Sequence, residues 1–405
     1  MHQGRRALRA PVAFDGARFL PGGATVLVER DTILGVEPFG YDVPADVEVT
    51  TYDGTLVPGL VDAHTHLIGT GEIGSLEAAP SLADDELDAV MEQSLRTQAA
   101  TGVTTVRDLG DVRYRSLALR DRQDTGAPRI VAAGPPITTP EGHCHYLGGV
   151  VSGVEECRRV VAEHHDRGVD VVKVMASGGL VTIGSDVFGV QFSAEELGAV
   201  VDTAHELGLQ VLAHAHSLRG IRHALAARVD GIEHFTGLAA TGIEVPDEVL
   251  AQVAARDVAL DLTLGFDRAG LAAMPGPPPH IAEQMKKAGM DFESAYAARL
   301  EVARRVREHG IRMASGDDSG VGPLKRHGVL PSSVADLALA GYSPAEALAT
   351  ATSVAADVCR VRDVTGVLAP GLSADLLVVD GDLRADLEAL RRPVAVFVRG
   401  IENVG

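Results

Sequence analysis

The chain has 405 residues, 46% of them hydrophobic but only 4% aromatic, and a formal net charge of -20. That length suits one large α/β domain with a smaller appended one, its core built from Val, Leu, Ala and Ile. The acidity argues against nucleic acid, whose phosphates need a basic surface, and against a polybasic membrane patch.

At the N-terminal end Arg5, Arg6 and Arg9 precede Ala10-Pro-Val-Ala-Phe14, an apolar run too short for a signal peptide and closed at once by Asp15. No uninterrupted apolar run approaches the ~20 residues of a membrane span. Cys144, Cys157 and Cys359 are odd in number, widely spaced and form no CxxC, so a reducing compartment is expected. These features predict a soluble, cytoplasmic protein. Short strand-like runs follow, Ala24-Thr-Val-Leu-Val28 and Ile33-Leu-Gly-Val36, punctuated by Gly22-Gly23 and Asp31. The far end looks alike, with Ala374-Asp-Leu-Leu-Val-Val-Asp380 and Val394-Ala-Val-Phe-Val-Arg-Gly400. Two β-rich ends predict one small sheet domain from residues 1–57 together with 358–405, enclosing an inserted domain of residues 58–357.

The middle alternates. Leu56-Val-Pro-Gly-Leu-Val61, Val103-Thr-Thr-Val-Arg-Asp108, Arg129-Ile-Val-Ala-Ala133 and Val169-Asp-Val-Val-Lys-Val174 are short apolar runs. Gln210-Val-Leu-Ala-His214, Gly231-Ile-Glu-His234, Val258-Ala-Leu-Asp-Leu-Thr263 and Ile311-Arg-Met-Ala-Ser315 bring the series to eight. Helical patterns lie between them. Ser193-Ala-Glu-Glu196 has capping-box spacing and predicts a helix to His205; Ser343-Pro-Ala-Glu346 predicts another, with Pro in its first turn. Eight strands alternating with helices predict a (β/α)8 barrel. A doubly wound open sheet is the competing architecture, disfavoured because no Gly-rich dinucleotide loop follows the first strand. The stretch from Gly265 to Phe292, with Pro275-Gly-Pro-Pro-Pro279, reads as a long irregular connection. Placed over a barrel mouth, it is expected to act as a lid or specificity element.

Metal-ligand side chains stand at the ends of these strands. His64 and His66, two apart on an extended strand, face the same way and can hold one ion. Lys173 lies among Val171, Val172 and Val174, where a bare ammonium is costly. Reaction with CO2 turns it into a carbamate whose two oxygens can bridge two cations. His214 and His234 end the fifth and sixth strands and complete the second ion. Asp318, rather than the adjacent Asp317, is expected at the end of the eighth strand, as metal ligand and catalytic acid/base.

Val61-Asp-Ala-His-Thr-His66, Lys173 with Ala176-Ser-Gly-Gly179, His214-Ala-His216, Ile232-Glu-His234 and Gly316-Asp-Asp-Ser-Gly320 together resemble the amidohydrolase superfamily. The resemblance is to its imidazolonepropionase-like and prolidase-like binuclear enzymes, and it extends from about Leu56 to Arg399. It implies a barrel with a small β-sandwich and two divalent ions per chain, commonly Zn2+. The family's Gly-Thr-Asp pattern stands here as Gly316-Asp317-Asp318 and supports Asp318. Similarity to the family's Gly-His-Gly turn marks His143, in Pro140-Glu-Gly-His-Cys-His-Tyr146, as a substrate contact, with His145 and Tyr146 as further candidates. His216, two residues past His214, is another; His327, Lys325 and Arg326 lie near enough in sequence to reach the mouth.

The implied reaction is hydrolysis of an amide-type C–N bond in a small molecule such as a dipeptide or N-acyl amino acid, by hydroxide shared between two ions. A mononuclear deaminase or cyclic-amide (imidazolonepropionase-type) hydrolase is the alternative. It wants a glutamate three residues after His214, where Ser217 stands, and leaves Lys173 without a purpose. A non-catalytic metal-binding relative is a third reading. The expected partner is a small amide; homo-oligomerisation is open.

Overall fold

Eight parallel strands form two sheets in this computed structural model, which describes residues 4–122, 126–274 and 276–403. Three strands, Leu60–Thr65, Val103–Asp108 and Arg129–Ala132, make one sheet. Five more, Val171–Met175, Gln210–His214, Gly231–Glu233, Ala259–Asp261 and Met313–Ala314, make the other. Parallel bridges join the sheets at both ends, between Ile137 and Val174 and between Thr65 and Ser319. Leu60–Thr65, Val103–Asp108 and Val171–Met175 are buried at every residue, as strands covered on both faces must be. Helices alternate with them, among them Ala194–Glu206 and Pro344–Thr350, and both begin as their capping boxes predict. Ser193 Oγ accepts from the Glu196 amide and Ser343 Oγ from the Glu346 amide.

The first expected strand divides in two. Thr55–Pro58 pairs antiparallel with Leu376–Val379, and Leu60–Thr65 enters the parallel sheet. Gly59 sits at the crossing, its amide donating 2.8 Å to Asp375 O; a Cβ there would lie 2.2 Å from the Thr104 side chain. Thr55–Pro58 thereby joins a five-stranded sheet with Val12–Ala13, Leu376–Val379, Pro393–Val398 and Ile401–Asn403. A four-stranded sheet contains Arg5–Ala10, Ala24–Glu29, Thr32–Pro38 and Glu48–Thr51. The two share a core around Leu8, Val26, Ile33, Leu376 and Phe397. Residues 1–3 and 404–405 of the expected terminal domain lie outside the described residues, as does Pro275 of the expected lid. Among the described residues no helix is long and apolar enough to cross a membrane. Cys144, Cys157 and Cys359 are all buried and unbridged.

Candidate metal centre

One cavity of about 920 Å³ lies beyond the C-terminal ends of most of the parallel strands, and every candidate ligand read from the sequence lines it: His64, His66, Lys173, His214, His234 and Asp318. His64 is the next-to-last residue of its strand, which Thr65 ends, and His66 follows at once; His214 ends the fifth strand, and His234 and Asp318 come one and four residues past theirs. The backbone is strained at this level. His234 has φ 69°, Asp318 φ 56° and Thr263 φ 40°, the last a β-branched residue in the left-handed region, where such side chains are genuine outliers. Close packing holds them there. A Cβ on Gly316 would meet Asp261 Oδ2 at 2.4 Å and His64 Cβ at 2.5 Å.

Three overlapping groups of donors lie close enough to hold a cation, each with its ligand atoms within 4.8 Å of one another: the rings of His214, His216 and His234; the rings of His64 and His234 with the Asp318 carboxylate; and the His64 ring with the Glu233 and Asp261 carboxylates. The His214 and His234 ring centroids are 4.4 Å apart, as are those of His216 and His234. Asp318 Oδ1 lies 3.4 Å from His64 Nε2 and 3.3 Å from His66 Nε2. Burial works against ionisation of Asp318, yet the hydrogen bond and charge of His66, a ring whose own value is raised although burial opposes it, hold its carboxyl well below the usual carboxylate range. Burial pushes His64 down to about 4 and His143 and His216 to about 3, and lowers His214 and His234 well below the ordinary histidine value. Neutral imidazoles are the form that binds metal.

Lys173 is 1% exposed, and its Nζ has no hydrogen-bond partner among the described residues. Both ring nitrogens of His64 are also without one. Buried polar atoms left unsatisfied are costly, and here they converge on one spot. The donor set fits divalent cations: imidazole nitrogens with a carboxylate oxygen, and an amine that CO2 can convert to a second anion.

A layer of charge behind the cavity escaped the reading of the sequence. Glu233 Oε2 is 2.7 Å and Asp261 Oδ2 3.4 Å from His64 Nδ1, in contact though without hydrogen-bond alignment. Arg107, also buried, donates to Ala63 O at 2.7 Å and reaches Glu233 Oε1 at 3.3 Å. All three are charged residues within apolar strands, the same signal that marked Lys173. Thr263 Oγ1, 3.0 Å from His234 Nδ1, and Arg299, on the helix Phe292–Glu308, carry no such mark.

His143, His145, Tyr146 and His216 all line the cavity, as does Lys325. The His143 and His214 rings are tilted against each other with centroids 4.5 Å apart, and His216 Nδ1 is 2.9 Å from Thr236 Oγ1. His327 is elsewhere, its Nε2 bonded to Gly69 O at 2.9 Å, and Arg326 is exposed near Glu72. Asp317 turns away from the cavity into a carboxyl pair with Asp62. Ser217, where a deaminase would carry its acid, instead caps the helix Leu218–Ala227 by accepting from the Gly220 amide at 2.8 Å. The segment after the seventh strand holds two short helices, Arg268–Ala273 and Pro279–Lys287, in place of the expected irregular loop. Phe266, Leu271, Met274, Ile281 and Met285 from it form part of the cavity wall.

The model of the amidohydrolase family matches residues 55–401. The ochratoxinase of Aspergillus niger is 26% identical over 411 residues, covering 91% of this chain and 80% of the relative. A solved Xaa-Pro dipeptidase with methionine in its active site superposes with a TM-score of 0.84 at 25% identity, over 99% of this chain and all of the other. A prolidase structure from Bifidobacterium longum, named as putative, gives 0.78 at 30% identity, over 99% and 95%. With its ligand-type side chains gathered at one set of strand ends and a family match across nearly the whole chain, the protein belongs to the amidohydrolase family and is a hydrolase of carbon–nitrogen bonds.

Proposed function

We propose that the protein hydrolyses the amide bond of a dipeptide or N-acyl amino acid at a two-metal centre held by His64, His66, Lys173, His214, His234 and Asp318. The two parallel sheets are then arcs of one (β/α)8 barrel over residues 58–357, and residues 1–57 with 358–405 form a β-sandwich beside it. The observation that carries the reading is Lys173: a buried amine with no partner, in a cavity ringed by histidines. Burial drives its pKa below the ordinary lysine value, although Glu233 pulls the other way. The neutral amine so favoured is the form that adds to CO2, releasing a proton and leaving a carbamate anion.

A pair of divalent ions, zinc in the first instance, supplies Lewis acidity and lowers the pKa of water. Everything else falls to the chain. Asp318, ionised and facing the cavity, accepts the proton of the attacking water and returns it to the departing nitrogen. His143 and His216, neutral at working pH, orient the substrate carbonyl, and His145 and Tyr146 border its entry. Glu233, Asp261 and Arg107 keep the His64 ring in place from behind.

A panel of Xaa-Xaa dipeptides and N-acyl amino acids offered to zinc-loaded protein, with metal counted per chain, tests this. Turnover of at least one amide class with two ions per chain is expected. One ion per chain together with deamination in place of amide cleavage would overturn it.

A further inference from the structure

Four successive carbonyls after the seventh strand turn onto two cations of the cavity wall. Arg299 Nη2 donates to Leu262 O and, at 3.2 Å, to both the carbonyl and the hydroxyl oxygen of Thr263. Lys325 Nζ donates to Thr263 O (2.8 Å), Leu264 O (3.1 Å) and Gly265 O (2.7 Å). All three hydrogens of the ammonium are thereby used within the protein. Ser333 Oγ also donates to Leu264 O, at 2.7 Å, and a Cβ on Gly265 would meet that Oγ at 2.2 Å.

An extended strand sends successive carbonyls to opposite sides, so four of them converge only where the chain leaves strand geometry. It does so here: Thr263 has φ 40° and Gly265 φ 69°. For a β-branched residue that conformation is strained, and it persists only where the surroundings over-determine it. Charge-assisted donors aimed at the carbonyls supply that constraint. The two cations repel each other, but both are attracted by the Asp261 and Asp318 carboxylates. What the strained turn secures is one hydroxyl, because Thr263 Oγ1 lies 3.0 Å from His234 Nδ1. An imidazole that ligates metal through one nitrogen keeps its proton on the other, held by an acceptor. For His234 the acceptor in reach is Thr263 Oγ1.

We propose that Lys325 and Arg299 are positioning residues: their clamp on the carbonyls of residues 262–265 fixes the Thr263 hydroxyl, which orients His234 as a metal ligand. Neither cation touches the substrate in this assignment. The inference rests on the two-metal reading and adds a support to it. Lys325 comes after the eighth strand and Arg299 from the helix Phe292–Glu308, so two later segments must pack against the turn before His234 is held.

Withdrawal of zinc from the loaded protein by a chromophoric chelator, read as the affinity of each ion, tests the clamp without recourse to turnover. Wild type should hold two ions. Lys325→Met and Thr263→Val should each weaken one of them about 10–100-fold, the usual worth of an outer partner of a metal ligand, and leave the other unchanged. The double variant should lose no more than the weaker single one, because both act through the same hydroxyl. Thr263→Ser, which keeps that hydroxyl, should match wild type. Unchanged zinc affinity in Lys325→Met, or losses that add in the double variant, overturns the clamp and leaves the two-metal reading standing. A single ion in wild type sinks that reading alone if Lys325→Met and Thr263→Val still weaken it, and sinks both if they do not. Should Lys325→Met fail to fold, Lys325→Gln, which brings two donor hydrogens in place of three, takes its place.

Discussion

At the scale of single residues the centre of the argument is an amine in the wrong place. Lys173 is buried among valines with no described partner, a situation that costs several kcal/mol unless chemistry removes the charge. Lys173→Ala should therefore lose at least the ~10–100-fold in turnover that a mere outer partner of a metal ligand is worth. Acetate or propionate, diffusing into the space left behind, should restore part of it, as measured by amide turnover with and without the acid. Full activity in the variant without additives rules out a bridging role. Lys173 was legible in the sequence because a charge inside an apolar strand breaks the pattern, and so were the strand-end histidines. Glu233, Asp261 and Arg107 broke it in the same way and were passed over, since their partners lie on other strands. Arg299 is an ordinary arginine on an amphipathic helix, and only the packing of that helix against the turn at Thr263 brings it to the cavity.

Among the elements, the strands and capped helices were readable while the structure of the stretch from Gly265 to Phe292 was not. Ser193 and Ser343 announce their helices through short-range hydrogen bonds that any sequence window contains. The segment after the seventh strand hides its helices behind a Pro-rich run, and the prolines break and start helices instead of preventing them: Pro278 and Pro279 begin Pro279–Lys287. Neither Arg268–Ala273 nor Pro279–Lys287 buries a side chain, so both depend on local capping and on what fills the cavity. Asp267 caps the first, accepting from the Gly270 amide at 2.9 Å. Asp267→Ala removes about 1 kcal/mol from that helix, roughly a fivefold change in its population. The expected outcome is a KM for bulky apolar amides raised about fivefold, with kcat and the melting temperature unchanged. A changed kcat at constant KM would mean that this segment acts on the chemistry instead of forming the binding wall.

Over the whole molecule, the strands from the two chain ends show why the terminal sheets cannot be treated as an ornament. Along Leu376–Val379 and Pro393–Val398 the side chains alternate between two cores, as strand geometry requires. Leu377, Val379, Val396 and Val398 belong to the large core that also contains Leu60, Val103 and Val172. Leu376, Val378, Ala395 and Phe397 belong to the small core shared with Leu8, Val26 and Ile33. The β-rich ends were visible in the sequence, but this double burial was not, because an all-apolar strand does not say what lies on each side. The arrangement predicts that small core, large core and active centre unfold together. Phe397 is the lever: it is 1% exposed, faces the small core, and has the Arg6 guanidinium 5.1 Å from its ring. Phe397→Ala should cost about 3–5 kcal/mol. Calorimetry should show one endotherm moved to lower temperature, with amide turnover lost across the same interval although no side chain of the centre has changed. Two separated endotherms, with activity surviving the first, would show instead that the terminal sheets melt by themselves and that the large core supports the centre alone.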